Sequence, residues 1–152
     1  TAKGFTTAFL ANGLDWESIY PKENLTLAQD IVANGGLLLS EYPIGQSCGR
    51  YGLVARDRLQ AGLAHATIVV QTGIKGGTMH AVNATIASRK PLFVVEYRNS
   101  VDNSHEKVQG NLMLVREKGA FPLRSMEIDN AVSQIEDFHR TNPQSVQPTL
   151  FD

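Results

Sequence analysis

Apolar residues along this chain follow two alternating rhythms. Short continuous runs, rich in β-branched and aromatic residues, occupy positions 5–11, 37–42, 67–72, 91–97 and, briefly, 120–123. Bounded by Gly, Pro and Asn, such runs predict strands. Between them apolar positions recur at three- and four-residue spacing, which predicts helices. In the first of these Leu25, Leu27, Ala28, Ile31 and Val32 share one side. Pro21 and Glu23 suit its start, and Asn34-Gly35-Gly36 ends it. Further helices are predicted over about 53–64, with Leu59 and Leu63 stacked toward the core, and over 78–88, 105–118 and 126–139. The run at 67–72 is uniformly apolar at its centre, as in parallel strands buried on both faces.

Strand-helix alternation repeated this often predicts an α/β fold: a doubly wound, Rossmann-like, mainly parallel sheet with right-handed crossovers and helices on both faces. There is no internal repeat. Residues 1–140 read as one domain, and residues 141–152, polar and carrying Pro143 and Pro148, read as a flexible tail.

Composition narrows the function classes. The 152 residues, 42% of them hydrophobic, suit one domain with a real core. No apolar run approaches the roughly 18–20 residues of a membrane helix, and the start lacks a signal-peptide pattern. The single Cys48 cannot form an internal disulfide, which suits a reducing cytoplasm. The four histidines show no metal-ligand spacing, so neither a metal nor a cofactor is expected. With a formal net charge of −1, contact with nucleic acid has to come from a local patch. The opening residues from Thr1 read like a helix end running into a strand, so a chain truncated at its N-terminus is expected.

In open α/β sheets ligands bind beyond the carboxyl ends of the strands. The loops leaving those ends, 12–22, 43–52, 72–78 and 98–104, hold most of the glycine. Gly76-Gly77-Thr78 opens a helix, where backbone N–H groups can cradle a phosphate. The turn is neither a GxGxxG nor a Walker loop, and a tight turn needing positive φ would explain its glycines equally well. Cations near this edge are Lys22, Arg50, Arg56, Arg58, Lys75 and Arg98. Arg56 and Arg58 lie about 200° apart around a helix, so both cannot face one site from mid-helix. Arg56, nearer the helix start, is the better phosphate ligand of the two, and a solvated helix face is the competing explanation. Glu41, Glu96 and Asp15 on the same edge weaken the positive patch. The candidate phosphate ligands are thus Lys22, Arg50, Arg56, Arg58, Lys75, Gly76, Gly77 and Thr78, with no catalytic set.

Gly13-Leu14-Asp15 with Tyr20-Pro21 and Asn24, Leu39-Ser40-Glu41-Tyr42-Pro43 with Gly45, and Arg56-Asp57-Arg58 with Ala61-Gly62-Leu63 together resemble the DNA-processing protein A (DprA, also called Smf) family. Order and spacing agree over about residues 9–96, and Gly110-Asn111 with the segment 114–120 is similar to a later family motif. The resemblance implies a Rossmann-like domain that binds single-stranded DNA through a positive phosphate pocket. It also implies loading of a RecA-type recombinase in natural transformation and recombination, action as a dimer, and no enzymatic activity. Arg56 and Arg58 match the family's Arg-x-Arg, Lys22 lies in its Tyr-Pro loop, and Gly76–Thr78 fall at its later glycine turn. Asp57 departs from the usual Asn, Gln71-Thr72 from a Glu-Ala, and Lys75-Gly76-Gly77-Thr78 from a Ser-Gly-containing turn. The family's first glycine-Ser-Arg loop is expected before Thr1, which would leave half of the pocket outside this chain.

Two other readings compete. The glycine turn resembles that of cytokinin-activating phosphoribohydrolases, which would make this a nucleotide-binding or nucleotide-processing protein. Met79, His80 and Ala81 follow the turn, however, and offer no counterpart to their glutamate. The tail Gln147-Pro148-Thr149-Leu150-Phe151 resembles the Gln-x-x-Leu-Phe peptide that docks on the bacterial sliding clamp, with Leu150 and Phe151 as anchors for an apolar pocket. It would make the chain a clamp-tethered interaction module.

Overall fold

In the computed structural model, which describes residues 4–98 and 104–142, strands and helices alternate in the predicted order. They are β1 (Thr7–Phe9), α1 (Leu25–Ala33), β2 (Leu37–Leu39), α2 (Gly52–Leu63), β3 (Thr67–Val69), α3 (Met79–Ala87), β4 (Leu92–Val95), α4 (Gln109–Lys118), β5 (Phe121–Leu123) and α5 (Ile128–Thr141). Contacts group the chain into two compact units, Thr1–Gln60 and Ala61–Asp152, the boundary falling inside α2.

In the first unit β1 and β2 pair in parallel, from Thr7 opposite Leu37 to Phe9 opposite Leu39. Leu37 donates to the Thr6 carbonyl and Leu10 to that of Leu39, so the even-numbered residues of β1 carry the ladder. The backbone groups of Thr7 and Phe9 therefore face the other edge. A 3₁₀ turn over Lys22–Asn24 precedes α1, so Pro21 and Glu23 shape this entry turn and not the first turn of the helix. After α1, Gly35 takes φ +79°. Gly36 has no room for a side chain, since a Cβ there would stand 2.5 Å from the Thr6 carbonyl oxygen.

In the second unit β3, β4 and β5 form a parallel sheet with β4 in the middle. Side chains of β4 alternate between two faces. Leu92 and Val94 join Val69, Val82 of α3, Leu114 of α4 and Ala120 in one buried cluster. Phe93 joins Leu123 and Ala131 of α5 in another. Helices thus cover both faces of this sheet, and each large buried side chain contributes about 1.5–3 kcal/mol of transfer free energy. Two expectations are corrected. β3 is an edge strand with Ile68 half exposed, not a strand buried on both faces, and Leu63 at the end of α2 is exposed at 57%. The helix expected from His105 begins at Gln109, after a turn closed by Val108 N–H to the His105 carbonyl.

Candidate functional site

The loops leaving β1 and β2 are fastened to each other. Asp15 accepts the Gly45 N–H at 2.5 Å through one carboxylate oxygen and the Ser18 N–H at 3.1 Å through the other. Those bonds, from Ser18 first and then Gly45, hold its pKa below the ordinary aspartate value. Gly13 donates to the Gln46 carbonyl at 2.8 Å. A Cβ at Gly13 would lie 2.5 Å from the Pro43 carbonyl oxygen, so only glycine fits there. Ser40 Oγ donates to the Asn12 carbonyl at 2.6 Å and accepts the Tyr42 N–H at 3.0 Å. The motifs Gly13-Leu14-Asp15 and Ser40-Glu41-Tyr42 are therefore scaffold for one another.

Four of the expected phosphate ligands stand in this unit, and their surroundings differ. Lys22 is exposed and its ammonium donates to the Glu17 carbonyl. Arg50 is exposed with its guanidinium over the Tyr51 ring, 5.5 Å from the centroid. Arg56 is held inward: Nη1 donates to the Phe9 carbonyl at 3.4 Å and Nη2 pairs with Asp57 at 3.2 Å. Its Nε is buried and has no partner among the described residues. Arg58 is exposed and pairs with Glu41 at 2.6 Å. The two arginines diverge, one to the open edge of β1 and one to the end of β2. A cavity of about 340 Å³ runs beside β1, walled in part by Phe9, Ile19, Ala28, Leu53 and Arg56.

The other four ligands belong to the second unit. Lys75 is exposed in the turn between β3 and α3. Positive φ is not what this turn needs, because the described glycines with positive φ are Gly35, Gly45 and Gly119. Gly76 is instead required by close approach, a Cβ there falling 2.8 Å from Thr72 Oγ1. Gly76 N–H closes on the Gly73 carbonyl at 3.2 Å, and Met79 and His80 donate back to Gly76 and Gly77. Among the described residues the N–H groups of Gly77 and Thr78 carry no hydrogen bond. They are the orphan donors of a helix start, and Thr78 supplies no side-chain cap.

Asn111, read from sequence only as part of a motif, proves to hold this turn in place. It is 3% exposed. Its Oδ1 accepts the Thr72 N–H at 2.9 Å, and its Nδ2 donates to the carbonyls of Val70 and Val95 at 2.9 and 3.1 Å. Gly110 N–H donates to the Thr72 carbonyl, and a Cβ on Gly110 would lie 2.6 Å from that oxygen. Arg98 donates to Ser125 Oγ at 3.1 Å, and Glu96 pairs with Arg124 at 2.7 Å. No cluster of three metal-ligating side chains occurs among the described residues, and none of their helices is long and apolar enough to cross a membrane. Gln147, Leu150 and Phe151 lie outside the described residues.

A family model described as DNA recombination-mediator protein A matches residues 1–136. The chain is 32% identical over 130 residues to protein Smf of Synechocystis, covering 79% of this chain and 32% of that protein. It is 30% identical over 115 residues to the DNA processing protein DprA of Streptococcus pneumoniae, covering 74% and 40%. It is similar to a solved structure of DNA processing protein A from Helicobacter pylori, presented for its single-stranded DNA binding mode, with a TM-score of 0.68 and 27% identity over 93% of this chain and 58% of that one. The S. pneumoniae DprA structure matches with a TM-score of 0.67 and 25% identity, over 79% of this chain and 40% of that one. The chain thus spans about a third of the length of the curated relatives it matches.

Proposed function

Because the chain belongs to the DNA recombination-mediator protein A family, we propose that it binds single-stranded DNA through the phosphates and assists recombinase loading or DNA processing during uptake and recombination. The observation that carries this reading is the start of α3. Two N–H groups without a hydrogen bond among the described residues, those of Gly77 and Thr78, stand beside an exposed Lys75 at the end of a strand. Backbone donors, a helix N-terminus and a cation in one turn suit an anion of any sequence context. In the first unit, Lys22 and Arg50 offer further exposed charge, with Arg58 available if its exposed pair with Glu41 opens. Arg56 contributes positive potential from a fixed position. No hydrolytic step is assigned, since no carboxylate follows the turn at Met79-His80-Ala81-Val82.

Anisotropy of a labelled oligothymidylate, titrated at two salt concentrations, tests the reading. Binding that weakens steeply with salt is expected; absence of binding at low salt sinks it. The finer partners follow the same reading: a RecA-type recombinase, a second copy of the chain in a cytoplasmic homodimer, and the sliding clamp through Gln147, Leu150 and Phe151. Replacing Leu150 and Phe151 by alanine should abolish capture of the clamp, and undiminished capture would remove that partner.

A further inference from the structure

We propose that Trp16 is a stacking platform for an unpaired base, with Lys22 beside it taking the adjoining phosphate. The inference rests on the single-stranded DNA reading and adds a base contact to it. Trp16 is the single tryptophan of the chain, and it stands 42% exposed at the start of the 3₁₀ turn Trp16–Ser18. That turn is held unusually firmly for a loop tip. Asp15 caps it by accepting the Ser18 N–H and ties it to the β2 loop by accepting the Gly45 N–H. The backbone just before it passes Pro43 so closely that Gly13 admits no side chain. A large flat side chain on a fixed turn contacts a partner without first being ordered, so little entropy is lost on binding.

The chemistry next to the indole selects the partner. The Lys22 ammonium is docked on the carbonyl of Glu17, the residue after Trp16, which puts a cation on the same turn as the ring. The Asp15 carboxylate is already occupied by its two N–H donors. Glu17, exposed on the turn, and Glu23, exposed next to Lys22, are the remaining acids and limit how much the phosphate contact contributes. Across the Asp15–Gly45 bond, Ile44 is 80% exposed. An aromatic face with one adjacent cation and little surplus charge fits successive units of a single strand, where stacking tolerates any base. It does not fit duplex, whose bases are already stacked.

The lone tryptophan makes the test direct, since all indole emission reports this position. The intact chain is titrated with oligothymidylate and with an abasic deoxyribose-phosphate oligomer of equal length, following anisotropy and tryptophan fluorescence together. The expected result is quenching by oligothymidylate in step with anisotropy, and no quenching by the abasic strand even where that strand binds. Trp16→Ala should weaken oligothymidylate binding about tenfold and leave abasic binding unchanged, while Trp16→Phe should restore most of the loss. Unchanged thermal melting of both variants separates this effect from misfolding. The proposal is overturned if oligothymidylate binds without quenching, or if Trp16→Phe, folded normally, binds both strands as weakly as Trp16→Ala does. Absence of any binding by anisotropy would instead overturn the single-stranded DNA reading, and this inference with it.

Discussion

At the scale of single residues, the motifs divide into those that build and those that are free to bind. Asn111 builds. Its one amide satisfies the Thr72 N–H and the carbonyls of Val70 and Val95, and truncation would strand a buried donor. Asn111→Ala should lower the unfolding free energy by about 2–3 kcal/mol, measured by urea denaturation. An unchanged midpoint would refute the role. Asp15 builds too, and its role depends on pH. Its carboxylate is held ionised by N–H donors in the folded chain, so its pKa falls on folding. The unfolded chain then binds the proton more readily, and stability from Asp15 is complete above the ordinary aspartate pKa of about 3.9. It is lost as pH falls through the lower, folded value. Asp15→Asn should therefore lower the melting temperature at pH 7, and the difference from the parent should shrink toward zero on acidification below pH 3. Neither role was visible in sequence, where Gly110-Asn111 and Gly13-Leu14-Asp15 read as parts of family motifs. The partners that tie separate loops together lie 30 or more positions away, from Asp15 to Gly45 and from Asn111 to Thr72.

At the scale of elements, order was legible and boundaries were not. Periodicity found the apolar run of β4 and the helical spacing of α1, because both depend on which residues must leave water. Strand lengths depend on loop hydrogen bonds that periodicity does not encode. The run at 37–42 stops being a strand at Leu39 because Ser40 turns its hydroxyl to Asn12 and to the Tyr42 N–H. Exposure at Ile68 follows from β3 being an edge, which is a matter of topology. The end of α2 shows a further long-range device. Lys90 reaches back and donates to the carbonyls of Ala61, Gly62 and Ala64, satisfying oxygens that a helix terminus leaves orphaned. Burial depresses the pKa of this ammonium, yet its partners are fixed dipoles with their negative ends toward it. Lys90→Met keeps the aliphatic stem and removes the donors. It should cost about 1 kcal/mol and should speed hydrogen exchange at the end of α2 without changing it in α5. Uniform acceleration across both helices would mean that Lys90 acts on the whole unit and not as a cap.

For the molecule as a whole, the governing fact is a net charge of −1. Long-range attraction to DNA cannot come from the average field of this chain, so the proposed binding has to rest on a few cations left free by local pairing. Two candidates are partly spent: Arg56 on Asp57 and the Phe9 carbonyl, and Arg58 on Glu41. Lys22, Arg50, Lys75 and Arg98 are the exposed candidates with no carboxylate partner among the described residues, Lys22 resting on the Glu17 carbonyl, Arg50 against Tyr51 and Arg98 on Ser125. Phosphate neutralisation on a single strand releases counterions with a slope of about 0.7 per contact in log affinity against log salt. If the proposed binding uses these groups, Lys75→Gln and Arg50→Gln should each flatten that slope by about 0.7. Glu41→Gln frees Arg58 and should steepen it by a similar amount. The gain from Glu41→Gln is the sharper discriminator. A loss on removing a cation can come from damage to the fold, whereas tighter and more salt-sensitive binding that Arg58→Gln then reverses in the Glu41→Gln background requires the released guanidinium at the DNA, beyond the loss of the Glu41 charge. An oligothymidylate slope unmoved by Glu41→Gln would place Arg58 away from the strand and leave the phosphate contacts to Lys22, Arg50 and the glycine turn with Lys75.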